Sequence, residues 1–152
     1  MNPVKFLILV AVLTVGGYLG YQMIIRGKSL DEISGNLHNK ITAPYPRAKM
    51  CLQTGDYKAA LEMFREALEK DKDPESPKEY ILNEKQIRFC YKKIAHCLYQ
   101  IAKRNSWPVV KCKKAIKAYE EYRDKYENDM DGEEFMFIHT RIEQIKALGR
   151  ML

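Results

Sequence analysis

Apolar residues recur at a helical period along most of this chain, and one unbroken apolar run precedes them. Phe6 to Ile25 reads FLILVAVLTVGGYLGYQMII without a charge, between Lys5 and Arg26. A helix rising about 1.5 Å per residue needs about 20 apolar residues to cross the hydrocarbon core of a bilayer. A cleaved secretory signal also begins with a base and an apolar run, but its core is shorter and ends on a small-residue site. Here the run continues through Tyr18, Leu19 and Tyr21, tyrosines suited to the membrane interface. The pattern therefore predicts a short tail over 1–5 and an uncleaved transmembrane anchor over 6–26. Gly16 and Gly20 form a GxxxG pair, although glycine is also common in any membrane helix. Lysine and arginine counts at the two ends do not decide orientation. The short basic N-terminus resembles bacterial anchors that export the domain behind them, so the soluble part is expected on the exported (periplasmic or equivalent) side.

A polar connector over 27–43 leads to Ala43-Pro44-Tyr45-Pro46, and 44–152 reads as helix broken by turns. Pro46–Gln53 is a short helix ended by Thr54-Gly55-Asp56. Tyr57–Lys70 follows, with Ala60, Leu61, Phe64, Ala67 and Leu68 on one stripe. After a loop over 71–77, a long helix is expected from Lys78 to Arg104, its stripe Ile87, Tyr91, Ile94, Leu98 and Ile101. Asn105-Ser106-Trp107-Pro108 breaks it, with Ser106 expected to cap the next helix, Pro108–Tyr126. A turn over 128–132 precedes a last helix, Glu133–Leu148, whose expected buried side is Phe135 or Met136, Ile138, Ile142, Ile145 and Leu148. No stretch alternates with period two, so the expected class is all-α.

Gly55, Tyr57, Ala60, Phe64 and Ala67 fall at the spacing of the second half of a tetratricopeptide repeat, which this segment resembles. Glycine permits the tight turn, the alanines let helices approach, and Phe64 fills the gap to the next unit. Ala95 and Leu98, then Ala115, Tyr119 and Tyr122, resemble a second, degenerate unit. Its inter-helix segment is about eight residues longer than the family's, and Tyr122 stands where an alanine is usual. The resemblance covers 44–127, with 133–148 resembling the capping helix that such solenoids need. It implies a short solenoid of antiparallel helical hairpins that binds protein in its concave groove and carries no chemistry. The groove positions it implies are Lys49, Gln53, Lys92, His96, Tyr99 and Gln100, joined by Tyr45, Leu52 and Phe89. Lysines and amides there would suit an acidic peptide or a C-terminal carboxylate.

Charge sharpens this picture more than the net value of +6 does. Lys85 to Lys117 contains no Asp or Glu, while acids dominate from Glu120 to Glu134. Three readings of the basic block stay open: a solvated face, a patch for an acidic protein or for anionic headgroups beside the anchor, and nucleic-acid binding. The last is not expected, because no nucleic-acid motif accompanies the charge. Cys90 and Cys97 share a helix face beside His96, yet lack the paired spacing of a zinc site and read as small core residues. No phosphate-cradling loop or nucleophile motif is visible. The expectation is therefore a non-catalytic adaptor or accessory subunit, without metal or cofactor, that holds a protein partner at a bilayer. The alternative is a tethered receptor capturing acidic or amphipathic segments in transport.

Overall fold

The computed structural model describes residues 42–150. The expected anchor from Phe6 to Ile25 lies outside them, and among the described residues no helix is long and apolar enough to cross a membrane. Five α-helices and two short 3₁₀ turns lie within this part of the chain, and no strand.

Helix α1, Pro44–Gln53, starts on a proline, whose missing N–H would have no helical partner in a first turn. It ends in a Schellman motif. Asp56 N–H bonds Cys51 O at 2.9 Å and Gly55 N–H bonds Leu52 O at 3.2 Å, with Gly55 at φ +75°. Helix α2, Tyr57–Lys72, begins at once, its first turn capped by the Asp56 carboxylate accepting from Ala59 N at 3.1 Å. In the last turn of α2, Asp71 accepts from Leu82 N at 2.6 Å across the following loop, which holds a 3₁₀ turn at Lys78–Tyr80.

The long helix does not begin at Lys78 as expected. Helix α3 is Glu84–Arg104, because Asn83 and Gln86 form a reciprocal capping box with both bonds at 2.9 Å. Its C-terminus repeats the Schellman pattern, with Trp107 N–H to Ala102 O at 2.9 Å and Ser106 N–H to Lys103 O at 3.2 Å. Here Ser106 at φ 58° takes the left-handed position that glycine takes after α1, and Trp107 follows at φ 61°. Ser106 therefore ends α3 and does not cap the next helix; Pro108 occupies the cap position of helix α4, Val109–Tyr126. A 3₁₀ turn, Glu127–Asp129, leads to helix α5, Gly132–Arg150, where Asp131 accepts from Glu134 N at 2.7 Å. The extra length expected in the second unit resides in α3, since only 105–108 separate it from α4.

Each helix packs chiefly on the helices before and after it in the chain. The crossings are lined by small residues: Ala48, Ala60, Ala95, Ala102 and Ala115 are fully buried, as are Cys90 and Cys97. Large side chains fill the remaining space. Phe64 packs edge-on to Tyr45 and Phe89 at 6.4 and 6.0 Å, tying α1, α2 and α3, while Ile138, Ile142 and Ile145 seat α5. The C-terminus of α3 returns to the first turn, where Arg104 donates to Gly55 O at 3.0 Å and stacks over Tyr57 at 4.6 Å.

These turns make opposite predictions for substitution. Gly55→Val forces a β-branched residue to positive φ, with its Cβ 3.4 Å from the Arg104 guanidinium, and should lose about 1–3 kcal/mol in urea melts. Gly132→Val meets nothing within 4 Å and should lose far less; equal losses would contradict the turn assignment. Ser106→Gly should stabilise the fold by up to about 1 kcal/mol, since it relieves a left-handed serine. A lower melting temperature for that variant would show the strain is not there.

Candidate protein-docking groove

Two surfaces compete as binding sites. The first is the face of α1 and α3 that the repeat resemblance selects, bordered by α5. There Lys49 is exposed with its ammonium 5.8 Å over the Tyr45 ring, and Gln53 is exposed. His96 is half-buried, its ring 5.9 Å from Tyr57 and its Nε2 3.5 Å from the Gln100 amide. Tyr99 is buried against Trp107, and its hydroxyl accepts from Arg141 at 2.9 Å. Lys92 is half-exposed, and its ammonium donates to Glu134 on α5.

Glu134 is the hub of that face. Arg88 donates to it at 2.6 Å and the Tyr122 hydroxyl at 3.0 Å, so one carboxylate joins α3, α4 and α5. Burial works to raise the Glu134 pKa, but hydrogen bonds from Lys92 and Tyr122 and the charges of Lys92 and Arg88 prevail and hold it below the usual carboxylate value. Arg88 and Lys92 thus fasten the last helix to α3. Sequence reasoning missed this because Glu134 lies 42 residues from Lys92.

The second surface was not anticipated. Between α2 and α4, over the exposed side of α3, lies an open groove of about 670 Å³. Tyr91, Ile94, Leu98 and Ile101 of α3, with Leu61 and Leu68 of α2 and Ala118 of α4, give it an apolar floor. Arg65, Lys72, Lys111, Lys114 and Lys117 line its rim, against the acids Glu69 and Glu121. None of these five bases pairs with a carboxylate among the described residues. The apolar stripe of α3 was legible in the sequence; what was hidden is that Tyr91, Ile94 and Ile101 stay only partly covered.

Reactive groups lie elsewhere and are quiet. Burial pushes the Cys90 and Cys97 thiols up to about 12, so neither offers a thiolate at neutral pH. All four cysteines are free, and among the described residues no group of three or more His, Cys, Asp or Glu is placed to hold a metal ion. Burial, then Lys93 and Arg141, lowers the His96 pKa and keeps the ring neutral. Comparison with family models, with curated proteins and with solved structures returns no match to this chain.

The two shifted groups give the fold a two-stage acid response. A histidine whose folded pKa is lowered leaves stability level above the unfolded value of 6.5 and subtracts from it as pH falls below. A carboxylate whose folded pKa is lowered adds stability above 4.5 that is lost as pH falls further. Urea midpoints should therefore hold between about pH 8 and 7, decline from about pH 6.5, and drop more steeply below about pH 4.5. His96→Gln should flatten the first decline. Glu134→Ala should lose about 1–3 kcal/mol near neutrality and soften the second. A profile unchanged by either substitution would contradict the assignment.

Proposed function

We propose that this chain is a non-catalytic, membrane-anchored adaptor whose tetratricopeptide-like helical module binds a protein partner and helps hold a membrane-associated assembly together. The observation that carries the reading is the groove between α2 and α4: an open apolar floor whose rim bases pair with no carboxylate among the described residues. The repeat character rests on the glycine turn at Gly55, on buried Ala60, Phe64 and Ala67 at the family's spacing, and on consecutive packing of the helices. Ala48 and Ala95 support it further, each fully buried on the first helix of its unit. Ala115 and Tyr119 occupy buried positions on α4 that fit the second helix of a repeat. Two hairpins are short for a solenoid, and α5 supplies the closing surface, fastened through Glu134.

The anchor over 6–26 provides the mechanism. Holding the module within nanometres of a bilayer raises its encounter with membrane-bound partners through effective concentration, with no added contact. The tethered peptide receptor is the second reading, and the rim bases of the groove favour it wherever the captured segment is acidic. The two differ in lifetime, since an assembly subunit co-purifies at fixed ratio and a receptor exchanges.

Two measurements test the proposal. The full chain should resist extraction from membranes at high salt, whereas 27–152 should be released and keep its helical circular dichroism. Detergent-solubilised full chain from its own cells should migrate with a partner polypeptide at constant ratio through size exclusion. A full chain that salt alone releases, or that migrates only by itself, would overturn the adaptor reading.

A further inference from the structure

We propose that the groove between α2 and α4 receives one amphipathic helix of a partner protein, apolar face down on Ile94, Leu98 and Ile101, with its carboxylates against Lys111, Lys114 and Lys117. The inference rests on the adaptor reading for the partner's being a protein, and on the groove alone for its chemistry. At about 1.5 Å per residue, the floor from Tyr91 to Ile101 runs roughly 15 Å, the length of about three helical turns. That length suits anchors at i, i+4 and i+7.

The walls decide between a helix and an extended segment. Floor and rim are contributed by α2, α3 and α4, whose backbone groups at these positions are bonded within their own helices. An extended peptide laid on this floor would find no backbone partners and would leave its own N–H and C=O groups against apolar carbon. A helix brings its backbone already satisfied.

Charge decides the flanks. Five bases face two acids around the groove, and Lys111, Lys114 and Lys117 follow at i, i+3 and i+6, along one side of α4. On the opposite face Arg88 and Lys92 are occupied by Glu134, whereas Lys111, Lys114 and Lys117 keep their charge at the groove. A bilayer surface would also attract these lysines, but a flat sheet of headgroups cannot reach an apolar floor recessed between two helices.

The test uses the full chain in nanodiscs of zwitterionic lipid, with empty nanodiscs as the blank. The probe is a labelled synthetic helix of about fourteen residues with leucines at i, i+4 and i+7 and glutamates on both flanks. Fluorescence anisotropy should show saturable binding that weakens with salt. The triple variant Lys111→Glu, Lys114→Glu, Lys117→Glu should bind about ten-fold or more weakly. The charge-matched triple Lys85→Glu, Lys103→Glu, Lys113→Glu, exposed but outside the groove, should bind within about two-fold of the parent. Ile94→Lys should also lose binding, with circular dichroism confirming retained helix.

Absence of binding by the parent overturns the proposal, as does equal loss in the two triples, which would mark a diffuse basic surface. Equal binding of a proline-interrupted peptide of the same composition would point to an extended segment instead. Capture of the soluble 27–152 fragment by phosphatidylserine vesicles, lost in the groove triple while the peptide fails to bind, would assign the lysines to lipid. Failure of the peptide with a constant-ratio partner still present removes the groove and leaves the adaptor. Peptide binding by a chain that salt releases from membranes does the reverse.

Discussion

Helix α3 lies between α2 and α4, and those two helices do not close over it. Every other feature of the module depends on that constraint. Along α3 the fully buried Cys90 and Cys97 lie at one edge of an apolar arc and Ala95 and Ala102 at the other, side chains small enough for helix backbones to come close. Between those edges lie Tyr91, Ile94, Leu98 and Ile101; Leu98 is buried, and Tyr91, Ile94 and Ile101 remain partly exposed on the groove floor. An apolar arc wider than its two neighbouring helices cover must keep its middle for a partner. Helix α5 is fastened on the far side of α3, so the middle of the arc is left as a groove.

Electrostatics divides along the same line. The stretch without acids, Lys85 to Lys117, looks uniform as sequence, but in three dimensions its bases take different roles. Arg88 and Lys92 turn toward α5 and are neutralised by Glu134, itself placed by the Asp131 cap at the start of that helix. Lys111, Lys114 and Lys117 turn toward the groove, together with Arg65 and Lys72 from α2. The acids after Glu120 thus fasten the last helix at one point and leave the groove positively charged. Arg141 extends the fastening, bonding the Tyr99 hydroxyl and stacking over Tyr99 and Phe137 at 4.8 and 5.0 Å.

Much of the fold was legible because its signals are local. Period-3.6 stripes marked α2, α3 and α5, and Gly55 announced its own turn by being the residue that adopts positive φ without strain. The corresponding turn after α3 carries no such signal. Nothing in Ser106-Trp107 marks a left-handed conformation, which tertiary packing around Trp107 and Tyr99 imposes. The start of α3 is written in Asn83 and Gln86, a capping pair, but the apparent continuity from Lys78 conceals it. Binding surfaces were harder. Which lysines are free depends on Glu134, whose proximity to Arg88 and Lys92 comes only with α5 folded back on α3. The apolar stripe of α3 could be seen without any sign that one side of it would stay open.

The most direct measurement is methyl NMR of the full chain as the acidic helical peptide is added. Resonances of Leu61, Leu68, Ile94, Leu98 and Ile101 should shift together and saturate, while Ile138, Ile142 and Ile145 under α5 stay in place. Shifts confined to the face of Lys49, Gln53 and His96, or no saturable shift in the groove, would contradict the account.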